Sequence, residues 1–234
     1  VAVWVLPIFG AQVANFENDE NVKSNQVLSR YKNNSVVFLK NDSFFIAELD
    51  SRGKIVNAAY TTDFDRIQPE GQFAYSEKSG ELYYVNGGKL FKAKQRKSGK
   101  WVNSAYIEVK GSEVKRDKYP GSVLAYANWR YLPKDSIVIV NPTINSQADV
   151  LYFSSNMDNV KSRDIWEMSK DQNGEWGNPV RMDASVNTVD ADEDFPFVND
   201  EGMLVFASNR GNTSHSDSTY RLFSKSEPVD YEQY

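Results

Sequence analysis

A 17-residue unit occurs three times in this chain without a gap. Residues 44–60 read FFIAELDSRGKIVNAAY, residues 90–106 read LFKAKQRKSGKWVNSAY, and residues 165–181 read IWEMSKDQNGEWGNPVR. The first two share eight identical positions, and all three carry a Gly at Gly53, Gly99 or Gly174. An Asn follows four residues later, at Asn57, Asn103 and Asn178. A repeat of this size is one supersecondary unit that cannot bury its apolar face alone, so copies must stack. The repeat constrains architecture far more than chemistry.

Each unit is preceded by an apolar strand ending in an aromatic: Val36-Val37-Phe38, Leu82-Tyr83-Tyr84 and Leu151-Tyr152-Phe153, with a fourth copy starting at Leu204-Val205-Phe206. Alternation within the units (Phe45, Ala47, Leu49; Phe91, Ala93) has the period of a pleated sheet. The segments 50–53, 97–99 and 171–174 are hairpin turns in which Gly supplies positive φ. A further strand precedes some copies, at 73–75 and 195–197. The aromatic anchors are 46, 69 and 53 residues apart. Four strands at this spacing predict an all-β chain, a β-propeller of four-stranded blades with about four blades visible. The blades fall near residues 35–68, 73–110, 119–183 and 195–234, within a propeller spanning 13–234. The long step implies an insertion within 119–148, where 122–126 and 137–140 compete to be the first strand. The fourth copy stops short of its last strand, which implies more ring beyond it. A two-sheet sandwich explains short strands equally well but not a gapless repeat with the same turn Gly.

Composition removes several function classes. The formal net charge is −5 and no block of Lys and Arg stands out, so no nucleic-acid surface is expected. There is no Cys, which excludes disulfides, thiolate metal sites and a cysteine nucleophile within these residues. Residues 1–11, VAVWVLPIFGA, are almost wholly apolar but too few to span a bilayer, which takes roughly 20. Residues 1–12 read as the remnant of a secretory signal or as a buried first strand. Pro7 weighs toward the signal. The chain is therefore expected to be exported and not membrane-spanning.

The stretch 194–211, DFPFVNDEGMLVFASNRG, resembles the WD-like repeat of TolB-type propellers. There a short turn leads through an apolar strand to a Ser-Asx-Arg-Gly corner. Here 200–202 stand for the turn, 203–207 for the strand and Ser208-Asn209-Arg210-Gly211 for the corner. Residues 151–156 with 164–166 repeat it. The continuation through 178–180 and 186–188 is similar to the version in OmpA-family envelope proteins of Bacteroidetes. That resemblance implies a periplasmic or outer-membrane-associated scaffold. Its partner would be a protein or a peptidoglycan-linked group, and a further envelope-binding domain is implied.

Few residues carry chemistry. The acidic run Asp190-Ala191-Asp192-Glu193-Asp194 offers oxygen ligands for Ca²⁺ but lacks a calcium loop's spacing. It reads better as a solvated connection with one carboxylate capping backbone N–H groups. The segment 169–176 is similar to a sialidase Asp box, itself a structural turn. His215 is the only histidine and lies in a polar stretch, and no G-x-S-x-G elbow or phosphate loop occurs. Trp101 and Trp176 share a repeat position with Ile55, which packing between blades explains. Asn209 and Arg210 either reach a pocket or bond neighbouring blades together. The residues left as binding candidates are Asp192, Asp194, Asn209 and Arg210. No catalytic residue, metal ligand or cofactor is assigned. The function expected is a non-enzymatic scaffold; the alternatives are a propeller enzyme (glycan hydrolase or peptidase-associated) and a sugar-binding lectin.

Overall fold

The computed structural model describes residues 26–109, 137–157, 162–210 and 221–225. They form fifteen strands in four antiparallel sheets. Blade 1 comprises β1 (Gln26–Tyr31), β2 (Ser35–Lys40), β3 (Ser43–Leu49) and β4 (Ile55–Thr61). Blade 2 comprises β5 (Ala74–Ser76), β6 (Glu81–Asn86), β7 (Lys89–Gln95) and β8 (Trp101–Tyr106). Blade 3 comprises β9 (Ile139–Ile144), β10 (Val150–Ser155), β11 (Asp164–Ser169) and β12 (Val180–Arg181). Blade 4 shows β13 (Glu193–Val198), β14 (Leu204–Ser208) and β15 (Arg221–Lys225). Strands follow chain order in every sheet, and the first strands β1, β5, β9 and β13 touch in succession. This is the predicted propeller.

The turns obey local chemistry. Asn41-Asp42 is a two-residue hairpin between the paired Lys40 and Ser43, with positive φ at both positions, the geometry that matches strand twist; Asn33 and Asn34 also take positive φ, within the three-residue turn between Tyr31 and Ser35. In the outer hairpin of blade 1, Asp50 Oδ1 accepts from Arg52 N at 2.8 Å and Lys54 N at 2.9 Å. In blade 3, Asp171 Oδ1 accepts from Asn173 N at 2.8 Å and Glu175 N at 3.0 Å. These backbone bonds lower both carboxyl pKa values. The shared glycines have φ of 75°, 84° and 80° at Gly53, Gly99 and Gly174, as expected from the turn.

Packing joins one blade to the next. Tyr31, Val37 and Phe44 of blade 1 pack with Leu82, Tyr84 and Trp101 of blade 2. Tyr83 and Leu90 of blade 2 pack with Leu151, Phe153 and Trp166 of blade 3. Tyr152 and Ile165 of blade 3 pack with Leu204 and Phe206 of blade 4. Fully buried Trp101 donates from Nε1 to Tyr31 OH at 3.0 Å, while Trp176 meets Tyr83 edge-on at 5.9 Å. Both therefore bridge to the preceding blade, as the repeat implied.

Three details differ from the sequence reading. Blade 1 has a strand, β1, ahead of the segment starting at residue 35. It escaped notice because QVLSRY carries little alternation. Residues 137–140 overlap β9, whereas 122–126 lie outside the described residues, as do 1–12, the insertion through 136, and His215. The acidic run is not a solvated connection throughout: Glu193 and Asp194 open β13 and are 0% and 1% exposed. Burial is tolerated because each carboxylate has an arginine partner.

Candidate functional site

The four candidate residues meet at one corner between blades 3 and 4. Antiparallel pairing sets Glu193 opposite Ser208 and Asp194 opposite Ala207, so the start of β13 lies beside the end of β14. Asn209 then folds back: its Oδ1 accepts from Asp192 N at 2.8 Å, and its N donates to Asp192 O at 3.3 Å. Asp192 Oδ1 accepts from Arg163 N at 2.8 Å. One capping carboxylate was expected within the run; Asp192, Glu193 and Asp194 each accept a backbone N–H.

Arg210 enters the corner from the other side. Its guanidinium lies 5.3 Å from the Phe206 ring centroid and 4.5 Å from that of Phe223. It donates to Ser208 Oγ at 3.0 Å, to Glu193 Oε1 at 3.1 Å, and to the Val186 carbonyl. Glu193 also accepts from Ser208 Oγ at 2.7 Å and from Thr188 N and Oγ1, both at 3.0 Å. Burial raises the Glu193 carboxyl pKa, and the Ser208, Thr188 and Arg210 partners only offset it. The network ties the 186–188 connection to β13 and β14.

Asp194 belongs to a second chain of bonds along the inner strands. Its Oδ1 accepts from Asn141 Nδ2 and from Phe195 N, both at 2.8 Å, and Arg163 pairs with its Oδ2. Gln72 N donates to Asn141 Oδ1 at 3.3 Å, and Gln72 Nε2 donates to Pro196 O at 2.8 Å. Blades 2, 3 and 4 are thus linked through Gln72, Asn141 and Asp194. Half-buried Arg30 reaches exposed Asp200 at 3.2 Å, joining blade 1 to blade 4.

Sequence reasoning did not single out Gln72, Asn141 or Arg163, and it met Glu193 only as a member of the acidic run. A signal existed for Asn141. Asn141-Pro142 matches Phe195-Pro196, and Asn141 and Phe195 both adopt φ of 52° at a register shift. Each Pro sits at the resulting bulge, where no ladder hydrogen bond is lost. Among the described residues no group of three or more His, Asp or Glu is arranged to hold a metal ion. Nor is any helix long and apolar enough to cross a membrane, which leaves β-barrel membrane proteins aside.

No family model matches the chain, and no curated protein matches it. Solved structures similar to it include TolB from Acinetobacter baumannii at 13% identity and a TM-score of 0.38, covering 80% of this chain and 35% of that one. A putative TolB from Agrobacterium tumefaciens shares 13% identity at a TM-score of 0.41, covering 82% and 57%. Prolyl oligopeptidase B from Galerina marginata shares 12% at 0.34, covering 84% and 25%. The chain spans about a third and somewhat over half of the two TolB proteins. The blade architecture rests on the chain's own sheets, and these distant likenesses add no residue to the corner.

Proposed function

We propose that the chain is a non-enzymatic β-propeller scaffold of the cell envelope, periplasmic or outer-membrane-associated. It holds a protein or peptidoglycan-linked partner and forms part of a larger OmpA-family or secretion-accessory protein. One observation carries the reading. The candidates Arg210 and Asp194 are committed to ion pairs, with Glu193 and Arg163 respectively, and Asp164 of blade 3 is likewise paired with Arg181. Carboxylates closed in arginine pairs serve as joints. Glycan hydrolysis needs two carboxyl groups free to exchange protons with substrate. The blades instead present loops, where recognition concentrates. The apolar residues 1–11 and the TolB-like corner support an exported setting.

Purified protein is to be sedimented with insoluble peptidoglycan and, separately, cross-linked in an isolated envelope fraction. The reading expects co-sedimentation, or one reproducible cross-linked partner, with no turnover of glycan or peptide substrates. Release of reducing sugar or peptide fragments, abolished by a single carboxylate or Ser substitution, overturns it.

A further inference from the structure

Aligning the repeat units uncovers a charge that the chain as a whole conceals. The chain has 27 Lys and Arg against 32 Asp and Glu, yet residues 89–100, KLFKAKQRKSGK, hold six bases and no acid. The expectation that no block of Lys and Arg stands out is corrected by this stretch. The other units carry nothing similar. Lys92 stands where they have Ile46 and Glu167, Lys94 where they have Glu48 and Ser169, and Arg96 where they have Asp50 and Asp171. The blade fold therefore does not call for cations at these positions. At Arg96 the exchange also removes a turn cap. Asp50 and Asp171 each accept from two backbone N–H groups of their turns, and an arginine cannot accept. The 96–100 turn is held instead by Arg96 N to Lys100 O and Gly99 N to Arg96 O, both at 2.9 Å, and by Gln95 Nε2 donating to Gly99 O at 2.6 Å.

The fold brings these cations to the junction of blades 2 and 3. β7 pairs with β6 without a register shift, setting Tyr83 opposite Lys92 and Glu81 opposite Lys94. The shift between β7 and β8 puts the additional residue, Ser104, in β8. Alternation along β7 therefore places Lys92 and Lys94 on one face. Their ammonium groups converge on one oxygen: Lys92 Nζ lies 3.1 Å and Lys94 Nζ 3.7 Å from Glu81 Oε1. Tyr83 OH donates to Glu81 Oε2 at 3.1 Å. The Glu81 side chain is only 10% exposed while that of Lys94 is 66% exposed, so the carboxylate is covered and the ammonium stands outside.

Across the junction, Lys170 of blade 3 lies 4.8 Å from the Trp176 ring centroid and donates to Ala148 O at 2.7 Å. Burial lowers its pKa; Lys92 and Lys78 act in the same direction, against Glu81 and Asp149. Lys78 donates to Gln147 Oε1 at 3.0 Å. Exposed Arg96, Lys97 and Glu77 complete the rim. Lys78, Lys92, Lys94, Arg96, Lys97 and Lys170 thus outnumber the carboxylates Glu77, Glu81 and Asp149. On the blade 3 side the patch is bounded by the acids Asp171 and Glu175.

A local excess of positive charge selects an anionic partner. The rest of the chain is more acidic than the whole, so it repels a long polyanion beyond the patch and favours a short acidic segment. The spacing is that of a strand. Lys92, Lys94 and Arg96 recur every second residue, about 6.7 Å apart along the backbone. Alternate side chains of an extended peptide recur at the same interval, so three carboxylates meet the three cations in register.

We propose that the junction of blades 2 and 3 docks an extended acidic segment of a protein partner, with Asp or Glu at alternate positions facing Lys92, Lys94 and Arg96. Resting on the scaffold reading, this docking names the chemistry of the protein that the scaffold holds.

The probe is a fluorescein-labelled eight-residue peptide of alternating Glu and Ser, read by fluorescence anisotropy against the full chain. Binding is expected to weaken as salt is added, and a peptide with its four Glu contiguous is expected to bind more weakly. Lys94→Ser with Arg96→Asp installs the residues of blade 3 and is expected to weaken binding about tenfold, at unchanged circular dichroism. As a measurement independent of that variant, carbodiimide coupling of the alternating peptide to wild type is expected to map to the lysines of 89–100 by mass spectrometry. No binding at low salt, equal binding of the contiguous peptide, a folded variant that binds like wild type, or coupling elsewhere overturns the proposal. Tighter binding of an oligothymidylate assigns the patch to nucleic acid and also overturns it. Any of these results alongside one reproducible cross-linked envelope partner leaves the scaffold reading standing, whereas hydrolysis of the peptide by the chain overturns the scaffold reading itself.

Discussion

Blades 3 and 4 contain the same serine in opposite circumstances, and substituting each is expected to move stability in opposite directions. Ser155 and Ser208 end the second strands of their blades, β10 and β14, and both are fully buried. Asn156 Oδ1 accepts from Val138 N at 2.8 Å, just as Asn209 accepts from Asp192 N, so the corners superimpose in bonding. Ser208 Oγ donates to Glu193 and accepts from Arg210 Nε at 3.0 Å and Arg210 N at 3.1 Å. In blade 3 the corresponding neighbours are apolar, Ile139 and Met157, and among the described residues Ser155 Oγ has no hydrogen-bond partner.

A hydrogen bond to a charged group contributes about 1.5–3 kcal/mol, and an unsatisfied buried group costs about 1–3 kcal/mol. Ser208→Ala removes the hydroxyl from the Glu193–Arg210 pair and is expected to destabilise by about 2–3 kcal/mol. Ser155→Ala removes only an unpartnered hydroxyl and is expected to be neutral or stabilising by about 1 kcal/mol. Urea unfolding reads both, as opposite shifts of the midpoint at constant slope. A Ser155→Ala loss as large as that of Ser208→Ala refutes the reasoning, because it shows Ser155 Oγ to be satisfied.

Three further outcomes follow from the same packing. Arg181 donates to both Asp164 oxygens at 2.9 and 2.8 Å; Arg181→Ala leaves that buried carboxylate uncompensated, with an expected loss of about 3–5 kcal/mol by denaturant titration. Trp101→Phe keeps the aromatic bulk but deletes the bond to Tyr31 OH, so a loss of about 1 kcal/mol is expected, and no change in the thermal midpoint contradicts it. Burial raises the Glu193 pKa above its ordinary value, so the folded state favours the protonated form. Stability therefore falls as pH rises through the interval from the unfolded to the folded pKa. Relative to Glu193→Gln, wild type is expected to lose unfolding free energy as pH rises above the ordinary glutamate range, and a difference that stays constant with pH contradicts it.

The sequence alone determined the blade. Its gapless repeat, period-2 alternation and turn glycines are local signals. Gly53, Gly99 and Gly174 occupy positive φ because a hairpin there requires it, whatever surrounds the turn. Trp101 and Trp176 were legible as packing because they recur at one repeat position. The role of the corner residues was decided only by the tertiary structure. In the sequence, Asp192 and Asp194 read as part of a solvated connection, and Asn209 and Arg210 as either reaching a pocket or bonding neighbouring blades together. The fold turns Asp194 inward, sets Glu193 against Arg210, and links Asp194 to Asn141 and Gln72 across three blades. Those partners lie from 17 residues away, for Glu193 and Arg210, to 53 or more for Asp194 and Asn141, and no local pattern announces a bond between distant polar groups. The meeting of Lys92 and Lys94 with Glu81 and Lys170 was hidden for the same reason. A strand's sequence states its pleat, but which charges face it from the next blade depends on how the blades stack.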